Sequence, residues 1–489
     1  MGSPIDLVLV NPGDKREIYQ GLGADVAAVE PPYWSAALAG FLRKEGVSVA
    51  IIDANALNYS AEETAAAVAA LSPRLAAVIV YGNQPSASTQ TMSAAGRICA
   101  AIHRTGACKV AIGGLHPTAL PERTIREEAV DYLIAGEGPF TLKALVAALR
   151  DGGALDQVPG LWYWEGEGLR STAPAPLLKS LDELLPRAAW DLLPMERYRA
   201  HNWHCFDHIT ERQPYAAIYT SLGCPYGCVF CCINALFGKR GIRYRSPAAV
   251  VDEIGFLVET YGVKNIKFID EMFVLDERHY MGIVEGLIER GYDLNIWAYA
   301  RVDTVKPQNL ERMRKAGITW LALGIESANP DVREGASKAM RVKDIGRVVE
   351  QIQAAGIRVI GNYIFGLPDD TLETMQETLD MAVELNCEFA NFYCAMAYPG
   401  SPLYTDAQRE GWELPSTWAA FSQHGYDMQP LPTHALSAKQ VVQFRDEAFH
   451  AYFSSDRYLD MVESRFGRPV RDHVVDISKN KLRRRLLET

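Results

Sequence analysis

An α/β protein with a doubly wound sheet first, a partial (β/α)6 barrel second and a helical C-terminal subdomain is the fold class this sequence predicts. Three observations predict it. Short apolar runs alternate with amphipathic stretches from residue 5 to about 150, and the same alternation resumes at residue 216 and continues to 396. Four of the nine cysteines crowd into residues 221–232, "SLGCPYGCVFCC", directly after the first apolar run of the second series.

In the first series the strands fall at residues 5–10, 47–53, 75–81, 110–113 and 132–135, and helices at 33–44, 61–71 and 86–103. Strand, helix, strand in repetition requires right-handed crossovers and therefore a parallel sheet covered on both faces, a Rossmann-like or flavodoxin-like domain over residues 1–150. Ligands of such sheets sit beyond the carboxyl ends of the strands. This chain places Asn11-Pro-Gly-Asp14, Tyr81-Gly-Asn-Gln84, Gly113-Gly-Leu-His116 and Gly136-Glu-Gly138 there. No G-x-G-x-x-G follows the first strand, so a dinucleotide fingerprint is absent.

Residues 151–210 are punctuated by Pro159, Pro174, Pro176, Pro186 and Pro194, show no sustained period, and read as a connecting segment. The second series has strands at 216–220, 265–270, 295–300, 320–324, 358–365 and 389–396, with helices at 247–261, 277–290, 308–316, 342–355 and 372–385. Six βα units are too few for a complete eight-fold barrel, so residues 211–400 read as an open partial barrel whose chemistry lies on the loops after the strands. Residues 401–489 are mostly helical, with Trp412, Trp418, Phe421 and Tyr426 and an amphipathic helix at 438–453.

Composition narrows the function. The net charge of -11 argues against a general nucleic-acid binder, and the one basic run, "KNKLRRRLLET", reads as a solvated helix end. No apolar stretch reaches the roughly 20 residues of a membrane span, and the first residues lack a signal-peptide pattern, so the expected location is the cytoplasm. Cys99, Cys108, Cys205, Cys387 and Cys394 are scattered singly through apolar segments, as buried free thiols are.

The cysteine cluster stands apart. Cys224-x3-Cys228-x2-Cys231 sets three thiols on one short loop, and three close thiolates need a soft metal to offset their charge. Structural zinc would need a fourth ligand from Cys232, His204 or His208, while an iron–sulfur cubane held by three cysteines keeps one iron open. Three cysteines with an aromatic before the last, after the first strand of a partial barrel, resemble the radical S-adenosylmethionine (SAM) enzymes. The resemblance implies a [4Fe-4S] cluster on Cys224, Cys228 and Cys231, SAM chelated at the open iron, and release of a 5′-deoxyadenosyl radical after one-electron reduction. The spacing Cys224-x3-Cys228-x3-Cys232 can also be written; Cys231 is favoured because it puts Phe230 where family members pack an aromatic against adenine.

Other family features fall on strand ends. The resemblance places Asp270 or Glu271 of "KFIDEMF" at the SAM ammonium, and Glu326 of "ALGIES" at the ribose hydroxyls or methionine amine. It places Ile364 and Gly366 of "NYIFGLPD" at the adenine, although Asn362 and Asp369 replace two residues of that motif, and Arg301 and Asp303 of "AYARVD" at the SAM carboxylate or substrate.

A doubly wound domain ahead of such a barrel is similar to the cobalamin-binding group of radical SAM enzymes, which includes C-methyltransferases and ring-forming enzymes. The group's D-x-H-x-x-G cobalt-ligand motif is missing from "NPGDKREIYQGLG", residues 11–23, so cobalamin is allowed as a cofactor but not favoured, with Glu17, Tyr19 and Gln20 expected to fill the space of a corrin face. His116 reads as a turn histidine bonded to backbone. The chain is similar in size and cluster loop to the cobalamin-independent diol dehydratases of apramycin-type aminoglycoside pathways. The expected reaction is therefore radical dehydration of a small polyhydroxylated amino sugar, with Asp270, Glu271 and Asp303 as acid–base candidates and Tyr393 and Tyr398 as substrate hydrogen-bond donors. The alternatives are a cobalamin-dependent C-methyltransferase or ring-forming enzyme and, more remotely, a non-catalytic SAM or cobalamin sensor. Expected partners are the small substrate, an electron donor such as flavodoxin, ferredoxin or a dedicated reductase, and a second copy in a homodimer, with no nucleic acid and no membrane.

Overall fold

The computed structural model describes residues 5–13, 18–20, 26–82, 84–184, 187–338 and 342–488. Residues 14–17 and 21–25 of the first strand-end loop, Glu17 among them, and Asn83 of the loop after the third strand lie outside the described residues.

Strands β1 (Leu7–Asn11), β2 (Val49–Asp53), β3 (Leu75–Val80), β4 (Lys109–Gly114) and β5 (Tyr132–Ile134) form a parallel sheet in the order β2-β1-β3-β4-β5. Their runs are apolar without interruption because both faces are covered. In β1, Leu7 and Leu9 enter one core and Val8 and Val10 the other, and in β3 Leu75, Ala77 and Ile79 part from Ala76, Val78 and Val80 in the same way. The order reverses at β1/β3, a topological switch point, and the strand-end turns stand along that edge.

Two local expectations change. The helix expected over 86–103 divides into Pro85–Gln90 and Met92–Thr105, because the Thr91 hydroxyl bonds back to the carbonyls of Ala87 and Ser88 at the joint. Within 151–210, β6 (Leu161–Glu165) and β7 (Gly168–Ser171) form a hairpin that extends the sheet antiparallel from β5. Its alternation is too short to register as a sustained period.

The second sheet is built from β8 (Tyr215–Ile218), β11 (Asn265–Phe268), β12 (Asn295–Arg301), β13 (Ile318–Glu326), β14 (Arg358–Phe365) and β15 (Phe389–Cys394), all parallel and in sequential order from β8 to β15. That is the open half-barrel. The short antiparallel pair β9 (Ser221–Leu222) and β10 (Arg243–Tyr244) brackets the cysteine loop. The crossover helices Pro247–Tyr261 and Glu277–Arg290 start where the Ser246 and Asp276 side chains accept backbone N–H bonds, and both end on a left-handed glycine.

Helices Ala438–Phe453, Asp456–Phe466 and Arg468–Ser478 follow. The basic C-terminal run is not simply solvated. Arg484 is fully buried, with Nε and Nη2 on the Asp446 carboxylate and Nη1 on the Gly425 carbonyl. Buried polar pairs also join the two α/β units: Lys267 of β11 with Glu30, and Arg245 with Tyr33 and Glu253. Among the described residues no helix is long and apolar enough to cross a membrane.

Candidate active site

The cysteine loop begins at Gly223, whose φ of 93° and close approach to the Gly241 carbonyl (2.5 Å from a notional Cβ) exclude a side chain. The loop is tied down at both ends: the Gly241 amide donates to the Cys224 carbonyl (3.1 Å), and the Asn234 side chain donates to the Tyr226 carbonyl (3.0 Å). Cys224, Cys228, Cys231 and Cys232 all line one cavity. Burial pushes the Cys224 thiol up to about 11 and raises those of Cys228 and Cys231 as well, and these three also act on one another electrostatically. Thiols held this way ionise only against a bound cation, which is what a cluster of iron supplies. Among the described residues no three His, Cys, Asp or Glu side chains are gathered into a closed metal-binding group, so the loop presents a soft donor set rather than a finished polyhedron. His204 is not part of that set. Its Nε2 is bonded to the Asn295 carbonyl at the start of β12.

The ends of the barrel strands form the cavity rim. Glu271, Arg301, Glu326 and Ile364 line it, as does Phe230 from the loop. Glu271 follows β11 and its buried Oε2 has no hydrogen-bond partner; burial pushes its carboxyl up to about 8. An orphaned carboxylate oxygen in a cavity fits a cationic ligand. Glu326 ends β13 beyond a register shift, in the left-handed region at φ 67°, and pairs with Lys338. For a residue other than glycine that conformation is costly, and such strain gathers at functional sites. Arg301 is held over the Tyr226 ring (4.1 Å) and bidentate on Asp303 (2.9 and 3.0 Å). Phe230 and Ile364 share one small apolar cluster with Val332 and Leu367, so the two residues expected at the adenine are brought together.

Three expected site residues lie off the cavity wall. Asp270 is fully buried and accepts from the backbone amides of Thr220 (2.6 Å) and Ser221 (3.2 Å) and from both hydroxyls. It supports the start of the cysteine loop, where an acid–base role was expected. Asp303 is half-exposed and committed to Arg301, and Gly366, at φ 79°, faces Val441 of helix Ala438–Phe453. Sequence reasoning missed Lys338, since "GASKAM" carries no motif, and it missed Tyr226 and Asn391 on the cavity wall, whereas Gln84 belongs to one of the expected strand-end turns.

The cavity measures about 1320 Å3, above the roughly 300–1,000 Å3 of ordinary small-ligand sites. The excess has a source. Tyr19, Glu30, Gln84, Ala87 and Gln90 of the first sheet's strand-end segments share its wall with the barrel, and a side pocket of about 160 Å3 opens at the β1/β3 switch point. The edges that bind ligands in the two units face each other across one space. Gln20 does not fill it: its amide donates to the carbonyls of His424 and Arg483 on the C-terminal subdomain, and Tyr19 packs against His424. His116 is buried against Trp418 and bonded to Thr89, with its ring held neutral because burial lowers it to about 3.

Residues 218–382 match the family model of the radical SAM superfamily and residues 19–146 that of the B12 binding domain. The second match overturns the expectation that cobalamin is disfavoured; a first loop without histidine does not remove the domain from the cobalamin-binding class. An uncharacterized methyltransferase of Pyrococcus horikoshii is 32% identical over 401 residues, 81% of this chain and 83% of that protein. The anaerobic magnesium-protoporphyrin IX monomethyl ester cyclase of Cereibacter sphaeroides is 29% identical over 82% of this chain and 63% of its own length. The fold is shared with the radical SAM methyltransferase TsrM of Kitasatospora setae, solved with cobalamin and a [4Fe-4S] cluster (TM-score 0.68, 18% identity, 92% of this chain and 89% of that one). No dehydratase stands among these. A thiol-bearing loop at the mouth of a half-barrel, a B12-type sheet facing it, and a relative matched over most of both chains place this protein in the radical SAM superfamily, among the enzymes whose barrel follows a B12-binding domain.

Proposed function

We propose that this chain is a cobalamin-dependent radical SAM methyltransferase, the reading weighed above as the alternative to dehydration. One observation carries it. The strand-end turns of the B12-type sheet and the cysteine loop of the barrel line the same cavity, so a corrin and SAM would meet over a common substrate. When bound, the cluster supplies the electron that cleaves SAM and cobalamin supplies methyl carriage.

The protein's part is to bind and orient. Cys224, Cys228 and Cys231 hold the cluster, and Phe230 with Ile364 flanks the adenine. The unpartnered Glu271 oxygen accepts from the SAM ammonium, which removes the burial penalty that keeps its proton on. Glu326 accepts from the ribose, and Arg301, preset by Tyr226 and Asp303, receives the methionine carboxylate. Gln84, Pro85, Ser86, Ala87 and Gln90, with Tyr19, line the wall that would receive the corrin. A one-electron donor of the flavodoxin or ferredoxin class completes the system.

The test is product analysis on anaerobically reconstituted protein given SAM, a reductant and an extract of candidate small molecules. Methyl transfer by this route yields S-adenosylhomocysteine as well as 5′-deoxyadenosine, and omitting cobalamin abolishes the first. Turnover that gives 5′-deoxyadenosine alone, with or without cobalamin, overturns the assignment in favour of ring formation or dehydration.

A further inference from the structure

We propose that the substrate of this site carries a large apolar portion, which the half-barrel holds below the cofactor edge; this rests on the methyltransferase reading only in taking the strand ends as that edge.

The cavity does not stop at the rim. Alternate residues along the strands line it in layers, as the two-residue period of a strand dictates: Arg301, Tyr299 and Trp297 on β12, and Ile364, Asn362 and Ile360 on β14. From Arg301 down to Trp297 is four residues, about 13 Å at roughly 3.3 Å per residue. On β13 the corresponding positions are Gly324 and Ala322; the Glu326–Lys338 pair takes the space over Gly324, and the small side chain of Ala322 leaves the interior below it hollow. The floor is aromatic. Trp203 stacks on Phe389 (5.4 Å, 24°) and meets Trp297 edge-on (5.2 Å, 75°). At the open side of the barrel, Phe449 and Phe453 of helix Ala438–Phe453 continue the same surface.

Several polar groups below the rim are already committed to partners in the protein, and the Trp297 Nε1 donor on the floor is left without one. The Asn391 amide donates to the Asn362 side-chain oxygen (2.9 Å), Asn362 donates to the Leu323 carbonyl (3.1 Å), and Arg445 pairs with Asp446 (2.7 Å). A polyhydroxylated amino sugar entering this space would surrender its hydration to walls with few partners to return, whereas an alkyl chain or fused hydrocarbon rings would be driven in by burial. The lower barrel therefore selects an aliphatic or polycyclic body, with the carbon to be modified held up at the rim. This departs from the expectation of an amino sugar.

The measurement is binding without turnover. Protein reconstituted with its cluster and cobalamin, and given no reductant, is titrated with dansyl-undecanoic acid, read by energy transfer from the tryptophans; kanamycin is the polyhydroxylated control, read by calorimetry. The fatty probe is expected to saturate and kanamycin to give no binding heat. Ala322→Leu, which fills the hollow, and Phe449→Ala, which strips its side wall, should each weaken the probe about tenfold, the scale of one to two buried methylenes, with unchanged circular dichroism. Absence of saturable probe binding, affinity unchanged in the folded variants, or tighter binding of kanamycin overturns the inference. Failure here leaves the S-adenosylhomocysteine test intact, and a chain that binds the probe but forms no S-adenosylhomocysteine retains an apolar site and loses the methyltransferase assignment.

Discussion

The carboxylate of Asp270, just past the end of β11, accepts the backbone N–H of Thr220 at 2.6 Å across the neighbouring strand. It also accepts from the Ser221 amide and from both hydroxyls, so one buried acid organises the turn that launches the cysteine loop. These donors lower the carboxyl against burial, which wins and lifts it to about 6. Asp270→Asn turns one acceptor into a donor facing donors. The expected loss is on the order of 1–3 kcal/mol of stability in chemical denaturation, together with reduced iron uptake on reconstitution. A variant of full stability and full iron content would show that the loop does not depend on this acid.

Glu326 and Lys338 form the second testable pair. Both are buried at the rim. Lys338→Met leaves a buried carboxylate without its cation and should cost about 3–5 kcal/mol in the absence of SAM. Glu326→Gln keeps the shape and should weaken SAM by roughly 1–3 kcal/mol, the scale of a lost charge-assisted hydrogen bond. Equilibrium dialysis with SAM decides: unchanged affinity in folded Glu326→Gln would remove Glu326 from the site.

His116 makes stability pH-dependent. Burial lowers its ring from 6.5 to about 3, so the unfolded chain binds the proton more tightly than the folded one. Its contribution is fully present above the unfolded value and is lost as pH falls from 6.5 towards 3, on the order of 3–5 kcal/mol over the whole window. Asp270 and Glu271, raised to about 6 and about 8, act with the opposite sign over part of that range, so the comparison must be a difference. Wild type minus His116→Gln, which keeps a side chain able to meet Thr89, should show a melting-temperature gap that closes or reverses on acidification. A gap constant from pH 7 to 4 would mean that His116 titrates normally.

Both sheets were legible because their strands are apolar on a period that burial on two faces imposes, as in residues 7–10 of β1. The thiol donors were legible because ligand spacing is local in sequence. What was not legible depends on partners distant in the chain. Asp270 and Glu271 are adjacent carboxylic acids, yet one faces backbone donors and the other a cavity, which follows from the register of β11 against β8. Lys338 reaches Glu326 from a segment without a motif, and Trp203, in a stretch read as a connector, closes the barrel floor. The cobalamin side was not legible because the first loop lacks the cobalt-ligand histidine motif, while the strand-end edge that faces the barrel is set by the tertiary fold.

The adjacent cysteines 231 and 232 give the last prediction. Both line the cavity, but they differ in what surrounds them. Cys231 is partly exposed, and the Cys232, Cys228 and Cys224 thiols all act on it electrostatically. Cys232 is 1% exposed, heads the short helix Ile233–Phe237 and has its carbonyl against Gly400, while burial pushes its thiol up to about 12. A side chain so enclosed behaves as a small apolar residue. Cys232→Ala should therefore retain iron, sulfide and SAM cleavage, at a cost of about 1–2 kcal/mol for the cavity it leaves. Cys224→Ala, Cys228→Ala and Cys231→Ala should each lose the cluster's absorption and all 5′-deoxyadenosine formation. Iron analysis of the four variants in parallel checks the assignment, and a Cys231→Ala protein that keeps its cluster while Cys232→Ala loses it would transfer the third ligand to Cys232.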